Sequence, residues 1–106
     1  MVNVSRLRKV IDVATGTGAW ALDFASRPDV RNRGVKVFAC DISTAKFPRV
    51  DKSDINKITF FQHDVTKPFP AEMLGTFDLV NMTYLGFALT APGWRLALKN
   101  LRSLLS

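Results

Sequence analysis

The fold of this chain is decided by one stretch, Val10-Ile11-Asp12-Val13-Ala14-Thr15-Gly16-Thr17-Gly18. The apolar residues around the acid predict a parallel strand that is buried on both faces. The glycines predict a tight turn and a close approach of backbone to a ligand. Residues 19–25 are helix-prone, so we expect the first N–H groups of a helix to face that ligand. A plain turn without a ligand is the alternative, but such a turn needs neither the acid nor both glycines.

Two cofactor classes use a loop of this kind. The pattern Gly16-x-Gly18-x-x-Ala21 satisfies the loose dinucleotide fingerprint, which would indicate NAD(P). The acid four residues before Gly16 favours the other class. The run Asp12-x-Ala14-x-Gly16-x-Gly18 resembles motif I of class I S-adenosyl-L-methionine (SAM)-dependent methyltransferases, with Ala14 where a glycine is commonest. Its continuation through residues 18–25 is similar to fungal methyltransferases of the secondary-metabolism-regulator type.

Acids also follow the second and third predicted strands. Residues 35–40 predict a strand that ends in Asp41, whose two carboxylate oxygens can accept hydrogen bonds from both ribose hydroxyls. A helix cap formed by Asp41 or Ser43 is the alternative. A third strand is predicted over Ile58–Gln62, and the resemblance implies that Asp64, just beyond it, contacts the adenine amino group.

The resemblance implies a cofactor site at the carboxyl ends of the strands. Its expected members are Asp12, Ala14, Thr15, Gly16, Thr17, Gly18, Asp41, Ile42, His63, Asp64 and Asn81. No catalytic base is identified. The run that starts at Asn81 lacks both prolines of the amino-methyltransferase motif, so N-methyl transfer does not follow. His63 is the only histidine and Cys40 the only cysteine, too few for a protein zinc site, and we expect both to be structural.

These features predict a single α/β domain over residues 1–106, with a Rossmann-like, partial doubly wound sheet. We expect about four parallel strands in the order 3-2-1-4 with flanking helices, and a substrate-facing loop over residues 83–89. The resemblance implies a chain truncated after its fourth strand, which leaves Phe77–Met82 as an open edge for a second copy or a partner protein. Residues 93–105 predict an amphipathic helix with an apolar stripe. The stripe comprises Trp94, Ala97, Leu98, Leu101, Leu104 and Leu105.

Composition narrows the class of partner. The net charge is +6, but the basic residues are scattered, which favours a solvated surface over nucleic-acid binding. No apolar run approaches the roughly 18 residues of a membrane span, and residues 1–6 lack a signal-peptide core. We therefore expect a cytoplasmic protein, with the nucleus as an alternative compartment.

The function predicted from these observations is SAM binding for methyl transfer to an unidentified small-molecule acceptor. A catalytically inactive, truncated scaffold or interaction module is one alternative, since the activity of a chain of 106 residues is open. An NAD(P)-binding domain is the second alternative.

Overall fold

The computed structural model describes residues 7–45, 47, 58–82 and 91–106. In this part of the chain one sheet contains four strands, which are all parallel. They are β1 (Lys9–Val13), β2 (Lys36–Asp41), β3 (Thr59–Gln62) and β4 (Leu79–Met82), in the spatial order β3-β2-β1-β4. The Rossmann-like class and the strand order 3-2-1-4 are therefore confirmed.

In the described residues three α-helices flank these strands, α1 (Ala19–Ser26), α2 (Pro28–Arg31) and α3 (Ala91–Leu104), and a short 3-10 helix covers Ala71–Met73. The single turn α2 lies in the connection between α1 and β2. Pro28 occupies the first helical turn, where its fixed φ favours a helix and its missing N–H costs nothing, and Val30 is buried. In the described ranges, no helix has the length and apolar character needed to cross a membrane.

The core lies on both faces of the sheet, because alternate side chains of each strand point to opposite sides. Val10 of β1 and Val37 of β2 pack with Phe24 of α1 on one face. Ile11 of β1 and Leu101 of α3 pack together on the other face. Both faces of the two central strands are thus covered, as a parallel sheet requires.

The apolar stripe predicted on α3 is only partly correct. Ala97, Leu101 and Leu104 are buried, but Leu98 and Leu105 are 52% and 46% exposed. Asn100 completes the buried face, where its side-chain amide donates to the carbonyl of Val65 at 2.8 Å. The buried positions 97, 100, 101 and 104 follow the i, i+3, i+4, i+7 spacing of one helix face, so the buried face includes Asn100 and leaves out Leu98, which was predicted to belong to it.

The predicted open edge Phe77–Met82 also needs correction at its first residue. Phe77 is fully buried, its N–H donates to the carbonyl of Leu104 at 2.9 Å, and the N–H of Ser106 donates to its carbonyl at 2.9 Å. These bonds form a parallel bridge between Phe77 and Leu105. The open edge is therefore limited to β4, whose outer side has no strand partner among the described residues.

The predicted substrate-facing loop over residues 83–89 lies outside the described residues.

Candidate functional site

The loop between β1 and α1 has an alternating backbone conformation. Ala14, Gly16 and Gly18 all have positive φ, at 59°, 59° and 80°. The N–H of Thr15 donates to the carbonyl of Cys40 at 2.9 Å, and the N–H of Gly18 donates to the carbonyl of Thr15 at 2.9 Å. The loop thus turns tightly at the end of β2 and enters α1 at Gly18, which has no side chain to cap the helix.

Asp12 is fully buried beneath this loop. Its Oδ2 accepts a hydrogen bond from the Thr15 hydroxyl at 2.7 Å, and its Oδ1 accepts one from the Asn81 side-chain amide at 2.9 Å. A buried carboxylate requires such donors, because leaving its charge without them would be very costly. Hydrogen bonds thus connect Asp12 of β1, Thr15 of the loop and Asn81 of β4, which are three of the predicted site residues. Through its bond to Thr15, Asp12 positions the loop.

Asp41 ties the same loop to the end of β2. Its Oδ2 accepts the N–H of Gly16 at 2.8 Å, and its Oδ1 accepts the N–H of Ser43 at 3.2 Å. The second bond closes a local turn of the kind that the capping alternative predicted. Most of the residues that follow this turn lie outside the described residues. Each carboxylate oxygen has a second lone pair, so Asp41 can hold the loop and still accept hydrogen bonds from a ligand.

Asp64 follows β3 and is held by a single neighbour. Its Oδ1 accepts the Thr66 hydroxyl at 2.7 Å and the Thr66 N–H at 2.9 Å. These bonds, the hydroxyl bond first, hold the pKa of Asp64 below its ordinary value, because they stabilise the charged form. Asp64 is therefore an anion at neutral pH, and both of these bonds leave Oδ2 for other donors.

His63 lies between β3 and Asp64, in a fixed orientation. Its ring stacks on Phe69 with centroids 4.0 Å apart, and its Nε2 lies 3.0 Å from the carbonyl of Lys67. Since a carbonyl only accepts, this contact assigns the proton to Nε2. The backbone N–H of His63 also donates to the carbonyl of Asp41 at 2.9 Å, which brings the ends of β2 and β3 together.

The surface around these acids is open. Ile42 is 62% exposed directly after Asp41, and its carbonyl accepts a hydrogen bond from the Gln62 side chain at 2.9 Å. Apart from Gly16 itself and its two chain neighbours, no heavy atom of the described residues lies within 4 Å of the position that a Cβ would take at Gly16. An apolar side chain, two carboxylates and an open backbone turn thus lie on one edge of the sheet.

Cys40 adjoins the loop but, unlike Ile42, is not exposed at the surface. It is fully buried, and burial raises the pKa of its thiol to about 12. The thiol therefore stays protonated near neutral pH and is no nucleophile there.

Sequence reasoning missed two supports of this site. It did not identify Thr66 as the partner of Asp64, although the Asp-x-Thr spacing is a known local turn signal. It also listed Asp12 as a cofactor-site residue but did not identify its hydrogen-bond partners, Thr15 and Asn81.

A parallel sheet with a glycine turn after β1 and acids at the ends of β1, β2 and β3 defines a Rossmann-like nucleotide-cofactor domain. The profile of the family described as "Methyltransferase domain" matches residues 10–106. The chain belongs to this methyltransferase-domain family.

Two curated fungal relatives agree with this assignment. Methyltransferase psoC of Aspergillus fumigatus is 31% identical over 75 residues, which is 71% of this chain and 25% of the relative. Methyltransferase grgD of a Penicillium species is 28% identical over 108 residues, which is 98% of this chain and 37% of the relative. The chain thus spans about a quarter to just over a third of the length of these relatives.

Solved methyltransferases share the fold. The SAM-bound amino pentose methyltransferase CalS10 of Micromonospora echinaspora matches with a TM-score of 0.73 and 20% identity, over 96% of this chain and 40% of CalS10. The glycopeptide N-methyltransferase MtfA complexed with sinefungin matches with a TM-score of 0.72 and 21% identity, over 97% of this chain and 41% of MtfA.

Proposed function

We propose that this chain binds SAM at the carboxyl edge of its sheet, as the cofactor-binding part of a methyltransferase. The observation that carries the proposal is the convergence of Asp41, Asp64 and the open turn at Gly16 on one edge, with Asp12 fixing that turn from below. The family supplies the cofactor class, and CalS10 and MtfA have been solved with SAM bound.

The residues present fit such a cofactor. The open space above Gly16 admits a ligand close to the backbone, and the N-terminus of α1 has no side-chain cap. Asp41 retains acceptor capacity for ribose hydroxyls, and the exposed Ile42 next to it offers an apolar surface to a base. Asp64 is ionised and can accept a hydrogen bond from an amino group.

The remaining expected members complete this proposed site. Ala14, Thr17 and Gly18 belong to the turn, Thr15 and Asn81 hold Asp12, and His63 orders the segment before Asp64.

The chemistry of methyl transfer asks mainly for positioning. Bound SAM supplies a methyl group that is already activated by the sulfonium, for in-line displacement by a nucleophile. Asp41 and the loop would orient the cofactor, and Asp12 keeps the loop in place. We assign no base, and we propose a small-molecule acceptor, since CalS10 is named as an amino pentose methyltransferase.

Titration calorimetry with S-adenosylhomocysteine, SAM and NAD tests the cofactor. We expect heat and saturation with the first two only. Binding of NAD alone would favour the NAD(P) alternative, and binding of none would favour an inactive scaffold.

Asp41→Ala should weaken S-adenosylhomocysteine binding by about 1.5–3 kcal/mol, roughly 10- to 150-fold, because charged hydrogen bonds are lost. Asp23→Ala is a matched control, since Asp23 is an exposed acid on α1. Equal affinities of the two variants would contradict a ribose role for Asp41.

Gly16→Val should abolish binding, because a branched side chain would fill the open space above the turn. Gly34→Val is the control, since Gly34 also has positive φ, 67° against 59°, and open space, at the other end of β2. Both variants carry similar backbone strain. Loss of binding in both variants would show that backbone strain causes the loss, and not a side chain that fills the ligand's space at Gly16.

We further propose that the β4 edge pairs with a second copy or with a partner protein. Among the described residues β4 is the last strand on its side of the sheet, and an edge strand is a frequent site of association by strand addition. Sedimentation velocity at micromolar concentration should show a dimer or larger species. A monomer over the whole concentration range would contradict self-association.

We propose the cytoplasm as the compartment, with the nucleus as the alternative. Imaging of a fluorescent fusion in cells tests this, and exclusion from both compartments would contradict it.

A further inference from the structure

A cavity lies at the amino end of the sheet, where β1 and β2 begin, opposite to the candidate cofactor site. Its volume is about 560 Å³, within the range of about 300–1,000 Å³ that is usual for small-molecule sites. The residues that line it are Leu7, Arg8, Lys9, Arg33, Gly34, Lys36, Thr76 and Asp78. The cavity is therefore distinct from the loop and the acids at the carboxyl ends of the strands.

The lining of this amino-end cavity is strongly cationic. Four basic residues and one acidic residue, Asp78, line it. The Oδ2 of Asp78 accepts the backbone N–H groups of Arg8 and Lys9, at 2.8 and 3.1 Å. In the described part of the chain, no ion pair joins Asp78 to the side chain of Arg8, Lys9 or Lys36. The acid thus orders the strand entry and leaves the positive charge of these side chains to the cavity.

The side chain of Lys9 is fixed by contacts with two aromatic rings and a threonine hydroxyl. Its ammonium lies 4.6 Å from the ring centre of Phe77 and 5.1 Å from that of Phe38. It also donates to the Thr76 hydroxyl at 3.0 Å, and this hydroxyl donates onward to the carbonyl of Met73 at 2.7 Å. Thr76 takes one of the three ammonium protons, so Lys9 presents an oriented, half-buried cation to the cavity.

We propose that the amino-end cavity binds a short phosphate chain. Guanidinium groups match phosphate oxygens in bidentate pairs, and ammonium groups add point charges. A cavity of limited volume that is lined by Arg8, Lys9 and Lys36 suits a compact, multiply charged anion better than an extended nucleic acid. The ligand is a free oligophosphate or the phosphate chain of a nucleotide. The proposal does not rest on SAM binding at the other end of the sheet.

The test is titration calorimetry of the intact chain with inorganic tripolyphosphate at low ionic strength. Lys36→Glu should weaken binding at least about tenfold, since a charged contact is replaced by repulsion. Lys9→Met should do so too, while its apolar side chain keeps the packing on both rings. Lys99→Glu is the matched control, because it makes the same change of charge at an exposed position on α3 that does not line the cavity. Its effect should stay below about twofold.

Several outcomes would overturn the proposal. Equal weakening by Lys36→Glu and Lys99→Glu would show attraction to net charge alone, as would the absence of saturable binding. Displacement of tripolyphosphate by a short oligonucleotide at far lower concentration would instead make nucleic acid the ligand. If Lys9→Met does not fold, the exposed position Lys36 decides the question.

Two further ligands separate the sources of the phosphate chain. Tighter binding of ATP than of tripolyphosphate would identify a nucleotide, and equal binding would identify the phosphate chain alone. S-adenosylhomocysteine should not displace tripolyphosphate, because it has no phosphate.

Discussion

Ala14→Gly should stabilise the protein, although glycine usually destabilises. Ala14 has φ of 59°, in the left-handed region, which costs an L-residue about 1–2 kcal/mol. Glycine removes this cost but adds about 0.5–1 kcal/mol of unfolded-state entropy. Ala14 is only partly buried, so its methyl group contributes little apolar burial. Taken at the middle of each range, about 1.5 minus about 0.75, the net gain in the free energy of unfolding should be about 0.75 kcal/mol.

Urea unfolding followed by circular dichroism measures this gain, and thermal unfolding should show a rise of roughly 2–8 °C for a domain of this size. Ala19→Gly is the control, since Ala19 is an exposed helical residue of α1, where glycine should cost up to about 1 kcal/mol. Opposite signs for the two variants are expected. A loss of stability in Ala14→Gly equal to that in Ala19→Gly would refute the conformational argument.

Three further predictions concern the site. Thr15→Val should lower the free energy of unfolding by about 1.5–3 kcal/mol in urea, because Asp12 loses a buried hydrogen bond, and an unchanged midpoint would contradict this. Cys40 should react with thiol reagents only after unfolding. Labelling of the native protein would contradict this. Burial raises the pKa of the folded thiol from 9.0 to about 12, so only the unfolded thiol ionises between these values, and the free energy of unfolding should fall as pH rises through this range. Thr66→Val should raise the pKa of Asp64 towards 3.8 in an NMR titration, and the stability difference between the two proteins should vanish as pH falls below that value; an unchanged pKa would contradict this.

The sheet could be predicted from sequence because its strands are short apolar runs that end in acids. The predicted and observed bounds of the third strand differ by one residue, Ile58 against Thr59. Phe77 was misplaced because its apolar character suits a strand, whereas its partner is the chain at Leu105. Such a contact depends on tertiary packing, which local pattern does not contain.

The sequence indicates which residue types meet around the loop but not their contacts, and the role of these residues in cofactor binding stays a prediction. Asp12, Gly16 and Asp41 could be identified from spacing, because glycine and acid positions follow strand ends. The direction of the Asp12 carboxylate could not, since it depends on Asn81, which is distant in sequence and adjacent in space. The burial of Asn100 on α3 depends in the same way on the carbonyl of Val65.

The contact between Asp12 and Asn81 also selects the alignment of the two strands that carry it. These residues are direct partners in the parallel pairing of β1 with β4. A shift of one residue would place the buried carboxylate opposite Val80 or Met82. That charge would then lose a donor in a medium of low polarity, at high cost. A misaligned sheet is thus disfavoured at the same point where the loop must be held.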